Sequence, residues 1–102
     1  MIQDISVIEL KRRKDANENL NLLDVRETYE FDEFNLNGKL IPLGDLPGRL
    51  DEIEDWKNEE IIVHCRSGRR SATAQQFMLQ NGFTNVRNLV GGVIDWQMEF
   101  GL

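Results

Sequence analysis

Apolar residues fall along this chain in two alternating patterns, short dense runs and stretches in which they return every third or fourth position. A first helix is predicted over about residues 7 to 15. Ser6 and Glu9 fit a capping box there, the serine side chain accepting from a first-turn amide while the glutamate reaches back. Lys11 to Lys14 then lie at the helix C-terminus, where cations are favoured. Leu20 to Val25 reads as a buried strand and Tyr29 to Phe34 as helical. Leu40 to Leu43 is a short run whose ladder bonding Pro42 limits. Leu46, Leu50 and Ile53, at spacings of four and three, predict a short helix from Asp45 to Glu54, and Glu60 to His64 is the next strand. A helix starting at Ser67 or Gly68 carries Ala72, Ala74, Phe77, Met78 and Leu79 and stops at Asn81 and Gly82, where glycine suits a left-handed cap. Val86 to Val90 is a further strand, and Gly91 and Gly92 open a last helix through Trp96. Strands alternating with helices at this spacing predict an α/β domain with a largely parallel sheet. Ligands of such sheets bind beyond the carboxyl ends of the strands, and Cys65 lies at such an end.

Composition narrows the function classes. A chain of 102 residues is long enough for one hydrophobic core and too short for two, so a single domain over 1–102 is expected. The 18 acidic against 12 basic residues give a net charge of −6, which disfavours general nucleic-acid binding. One cysteine makes no intramolecular disulfide and no cysteine-rich zinc site. The N-terminus lacks the apolar core of a signal peptide, and no run approaches the ~18 apolar residues that span a bilayer. A cytoplasmic location without membrane partners is the expectation, and neither a metal nor an organic cofactor is called for.

Against this acidic background the segment Ile61 to Ser71 stands out. An apolar run ends in the single cysteine, and Arg66, Arg69 and Arg70 follow within five residues. A turn from strand to helix aims backbone N–H groups at one spot, and the helix N-terminus adds partial positive charge. That field favours a thiolate over a thiol, so Cys65 is expected to be nucleophilic near neutral pH. His64 points to the opposite face of the strand, which excludes a protease-like cysteine and histidine pair and leaves activation to the loop. Loop length separates two chemistries. A cysteine phosphatase places arginine six positions after the cysteine, where Ser71 stands here. Arg70, one residue earlier, makes a tighter cradle that suits a sulfur atom better than a phosphoryl group. A second thiol to resolve an arsenate reductase intermediate is absent.

Four ordered motifs make the chain resemble the rhodanese family of sulfurtransferases. Cys65-Arg-Ser-Gly-Arg-Arg70 is similar to its six-residue active-site loop, in the form associated with thiosulfate. Leu22-Leu-Asp-Val-Arg-Glu27 resembles its early strand signature, Ile41-Pro-Leu-Gly44 its middle element, and Gly91-Gly-Val-Ile-Asp-Trp96 its C-terminal signature. The resemblance implies a mainly parallel five-stranded sheet with helices on both faces. It implies that Cys65 takes a sulfane sulfur from a small anionic donor, holds it as a persulfide and passes it to a thiol or cyanide acceptor. Arg66, Ser67, Gly68, Arg69 and Arg70 would form the substrate-binding loop, with Arg66 and Arg70 orienting a dianionic donor. Asp24 and Arg26 resemble residues that brace this loop, and Trp56 and Trp96 read as packing residues. The stretch Phe34-Asn-Leu-Asn-Gly-Lys39 departs from the family's turn, with asparagines where histidine and proline usually stand; asparagine and glycine still favour a turn. The alternative from another class is a persulfide carrier or sensing module serving a protein partner, for which the basic Lys11 to Lys14 patch is a candidate contact.

Overall fold

The computed structural model describes residues 4–101. In chain order these form α1 (Val7–Asp15), β1 (Leu22–Asp24), α2 (Thr28–Glu33), β2 (Lys39–Leu40), a winding helical segment, β3 (Glu60–His64), α4 (Arg69–Gln80), β4 (Asn85–Asn88) and α5 (Gly92–Phe100). The strands lie in the order β2-β1-β3-β4, and every pairing is parallel. The two middle strands, β1 and β3, are buried almost throughout, as expected where helices cover both faces.

Among the described residues the sheet has four strands, and the fifth that was expected is not seen. Ile5 makes a single parallel bridge to Leu89, with Ile5 N–H donating to Asn88 O at 3.0 Å and Val90 N–H to Ile5 O at 2.9 Å. Side chains take the polar groups on either side of that bridge. The Asp4 carboxylate accepts from Asn88 N–H at 3.1 Å, the donor a longer ladder would use, and Ser6 turns the chain into α1 by accepting from Glu9 N–H at 3.1 Å. Glu9 does not complete the predicted capping box; its carboxylate faces Arg87 instead. The basic run of α1 is largely consumed within the fold: Arg13 pairs with Glu18 and Glu60, Lys14 donates to Leu36 O, and Lys11 pairs with Asp15. Of the four only Arg12 is an exposed cation outside these pairings, which weakens this patch as a partner surface.

The segment Leu43 to Trp56 is three short helical pieces rather than one helix. Pro47 and Gly48 are poor helix formers, and backbone kinks at Arg49 and Ile53 let Leu46 and Ile53 both reach the core. β2 stops at Leu40, although Ile41 N–H and Leu43 N–H still donate to Asp24 O and Val25 O on either side of Pro42, which has no N–H to give.

Each face of the sheet has its own core. On one side Leu23, Val25, Ile61, Val63 and Val86 pack with Leu46, Ile53, Ala74, Met78 and Phe83. On the other Leu22, Ile62 and Leu89 pack with Val7, Leu10, Leu36 and Trp96. Full burial of one such aliphatic side chain is worth about 1.5–3 kcal/mol, so the two faces clamp the sheet and fix where β3 ends.

Candidate active site

The strand-to-helix turn between β3 and α4 holds the cysteine. Cys65 is 1% exposed and forms part of the core beneath α4, while Arg66 and Ser67 project to solvent. Gly68 takes φ +100° as the N-cap of α4, a conformation that glycine adopts without a steric penalty, and this aims its N–H at the sulfur. Gly68 N–H donates to Cys65 Sγ at 3.1 Å, and the Ser71 hydroxyl lies 3.4 Å from the same atom. Burial pushes the thiol up, but the Ser71 hydroxyl and the amides of Ser71, Gly68 and Ser67 outweigh it, and the net displacement is below the usual thiol value.

The loop is held from behind by the Gly91-Gly92 turn. Val93 N–H and Ile94 N–H, at the start of α5, each donate at 3.0 Å, to Cys65 O and Arg66 O respectively. Gly92 (φ +58°) lies so close that a Cβ there would stand 2.6 Å from both Cys65 O and Arg66 O. This glycine is therefore required for contact as well as for conformation, and the C-terminal motif acts as a backstop for the cysteine loop.

Asn88 adds a second support that the sequence reading missed. Its Nδ2 donates to Gly68 O at 3.1 Å, which leaves Oδ1 facing the Ser71 hydroxyl at 2.6 Å. Ser71 has one proton to give. With a thiol present it donates to Asn88 and can accept from S–H; with a thiolate it can turn toward the sulfur. Asn88 lies two residues after Val86 and so shares its inward face on β4, a pattern that could have exposed it. In the sequence Ser71 signals only the absence of the arginine that a phosphatase has at that position.

The arginines separate into different roles. Arg70 forms a bidentate pair with Glu30 of α2, at 2.7 and 2.9 Å. The Arg70 guanidinium, with part of its field on Cys65, holds the Glu30 carboxyl down to about 2. Arg66 is exposed, and its guanidinium makes no hydrogen bond or ion pair among the described residues. Both line a cleft of about 660 Å³, together with Glu30, Glu33, Tyr29 and Arg26. Arg69 faces a second concavity of about 430 Å³ beside Ser67, Leu43 and Thr73, which shares Arg70 with the first. Asp24 and Arg26 form a buried pair at 2.8 Å, and Arg26 Nη2 also donates to Phe34 O at 2.7 Å. That pair ties the end of β1 to the end of α2 and forms a wall of the cleft; its hydrogen bonds do not reach the cysteine loop.

His64, paired in register with Asp24, is fully buried on the opposite face, and neither ring nitrogen has a partner. Burial presses its pKa down to about 4, so it is neutral and takes no part in the cysteine's surroundings. Asn35 and Asn37 form the departing turn: Asn35 Oδ1 accepts from Asn37 N–H at 2.9 Å, and Asn37 takes φ +64°. Among the described residues no group of three or more histidine, cysteine or carboxylate side chains could hold a metal ion, and no helix is long and apolar enough to cross a membrane.

Comparison with known proteins agrees with this geometry. Residues 6–99 match the family model of the rhodanese-like domain. A Bacillus subtilis protein provisionally named a sulfur carrier, YrkF, is 42% identical over 93% of this chain, which spans only 51% of that protein. A sulfurtransferase of Allochromatium vinosum is 33% identical, covering 94% of this chain and 89% of its own length. The crystal structure of a rhodanese-like domain protein from Staphylococcus aureus superposes with a TM-score of 0.82 at 31% identity, covering 94% of this chain and 91% of that one. The chain belongs to the rhodanese-like sulfurtransferase family.

Proposed function

We propose that this rhodanese-like chain is an enzyme that moves a sulfane sulfur from thiosulfate or a similar anionic donor to a thiol or cyanide, through a persulfide on Cys65. The observation that carries this reading is the convergence of Gly68 N–H and the Ser71 hydroxyl on a cysteine sulfur at the N-terminus of α4. Those donors favour the thiolate that attacks the outer sulfur of the donor, and they remain in place for the persulfide anion that follows. In the first step the Sγ–S bond forms as the donor's S–S bond breaks, and the electron pair of that bond leaves with sulfite. In the second the acceptor attacks the outer persulfide sulfur and Sγ departs again as thiolate. Ser67 and Gly68 contribute loop amides, Arg66 meets the incoming anion at the cleft, and Arg69 and Arg70 flank the loop. A cytoplasmic, reducing setting suits a thiol that must return free after each cycle.

Intact mass tests the reading. After thiosulfate, wild type is expected to gain one sulfur atom, which cyanide removes, while Cys65→Ser gains none. An unmodified wild type, or full activity in Cys65→Ser, overturns it.

A second reading, a persulfide carrier that serves a protein acceptor, draws support from two observations. One relative bears the name of a sulfur carrier, and the near-complete cover of Cys65 restricts small-molecule access. It predicts slow turnover of small acceptors together with rapid transfer to one protein thiol, measured as loss of the Cys65 persulfide on mixing.

A further inference from the structure

The cleft beside Cys65 holds three arginines, yet most of their charge is already spent. Arg26 is neutralised by Asp24 in a buried pair whose side chains are 4% and 1% exposed. Arg70 is neutralised by Glu30 through both terminal nitrogens. Glu30 is itself anchored from the other side: its Oε1 accepts from Glu27 N–H at 3.0 Å in the capping box of α2. The carboxylate is therefore a fixed part of the cleft wall, with its side chain only 11% exposed, and cannot swing away without breaking bonds in two directions. The unpaired charges that remain at the cleft are Arg66 and the exposed Glu33, of opposite sign.

We propose that Glu30 is a specificity-determining residue: by holding Arg70 in a bidentate pair it withdraws one positive charge from the cleft and sets the site for sulfane-sulfur donors with a single negative charge, thiosulfonate or persulfide anions, over dianionic thiosulfate. The inference rests on the sulfurtransferase reading and narrows its donor class. An entering dianion finds Arg66 and the loop amides but no second unpaired guanidinium in this cleft, Arg69 facing the other concavity, and Glu30 repels it at the same wall. A singly charged donor satisfies Arg66 and suffers less of that repulsion. The chemistry is the same for both. The Cys65 thiolate attacks the terminal sulfur, the Sγ–S bond forms, the donor's S–S bond breaks, and its electron pair leaves with sulfinate from a thiosulfonate or with thiolate from a persulfide; no other oxidant or reductant is needed.

The test compares thiosulfate with methanethiosulfonate, in which a methyl group replaces one charged oxygen. Glu30→Gln keeps the side chain's shape and an oxygen for Arg70 while removing the charge. It is expected to raise the ratio of kcat/KM for thiosulfate over methanethiosulfonate about fivefold, chiefly through a lower KM for thiosulfate, and adding Arg70→Gln should cancel the gain. If Glu30 merely positions Arg70 as an anion binder, Glu30→Gln lowers the ratio or leaves it unmoved, and the proposal falls. A salt series on wild type needs no variant: with Arg70 masked, the ratio should fall less than about threefold between low and high salt, and a larger fall overturns the proposal. Mass spectrometry separates the two levels of the reading. No Cys65 persulfide from either donor defeats the sulfurtransferase assignment itself, whereas a persulfide with the wrong ratio defeats only the role of Glu30.

Discussion

Cys65 and His64 are neighbours at the end of one strand, both buried, and they face opposite sides of the sheet into different electrostatic surroundings. On the α4 side, backbone amides and a hydroxyl converge on the sulfur, and the thiol is displaced toward ionisation in spite of burial. On the other side neither ring nitrogen has a hydrogen-bond partner among the described residues, and burial, helped by Arg26 and Lys14 against the pull of Asp24, holds the imidazole neutral, down to about 4. Burial penalises charge wherever it occurs; what reverses the outcome is a set of donors aimed at one atom. A thiol displaced toward ionisation and an imidazole held neutral can thus occupy adjacent residues because a strand turns successive side chains to opposite faces.

The comparison breaks most completely at the sulfur. Cys65→Ser is expected to lower sulfur transfer by a factor of at least about 10³ while leaving the melting temperature within a few degrees, measured by a cyanide assay beside thermal denaturation. Next in size is the backstop. Gly92→Ala places a methyl group against Cys65 O and Arg66 O at a left-handed position, which should cost about 3 kcal/mol of stability and reduce transfer along with it; urea unfolding and the same assay read both. A Gly92→Ala protein with wild-type stability would show that the loop does not depend on α5.

The histidine face gives the third effect. A buried base with a depressed pKa binds fewer protons folded than unfolded, so its stabilising contribution is complete above about pH 6.5 and is lost as pH falls toward about 4. Over that window wild type should lose about 2–3 kcal/mol of unfolding free energy, and His64→Leu should lose distinctly less, as followed by urea melts at pH 7 and pH 4.5. Carboxylates such as Glu30, held down to about 2 by Arg70, add their own loss only below about pH 4.5, so the two contributions separate on the pH axis. The smallest effect sharpens the cysteine side. Ser71→Ala removes the hydroxyl that lies 3.4 Å from the sulfur and should raise the thiol pKa by about one unit, seen as a shift of the pH profile of alkylation by iodoacetamide to higher pH. Asn88→Ala should move the same profile by less, because the hydroxyl is kept but loses its guide.

The order of elements, the alternation of helix and strand, the ends of α1 and β3 and the position of the cysteine loop between β3 and α4 were all legible in the chain, because each rests on local rules: apolar spacing, caps, and glycine at a turn. So was the placement of His64 away from Cys65, which needs only the period of a strand. That Ile5 makes a bridge to Leu89 outside the four strands was not legible. Whether Ile5 begins a ladder or makes one bridge depends on where the Asp4 side chain goes, and it goes to Asn88, across the sheet edge. The winding of Leu43 to Trp56 was likewise decided by the need to bury Leu46 and Ile53 together.

Sequence alone therefore determined the α/β fold class and singled out the sulfur proposed as the reactive atom, since a strand, a tight turn and a helix in succession already create the field that a thiolate needs. Only the tertiary structure decided which charges that field keeps. Arg70 and Glu30 are 40 residues apart, Ser71 and Asn88 are 17 apart, and no local pattern pairs them. Their contacts exist because parallel strands and crossing helices bring distant segments to the same end of the sheet, and there a cleft that reads as strongly basic in one dimension becomes nearly balanced in three.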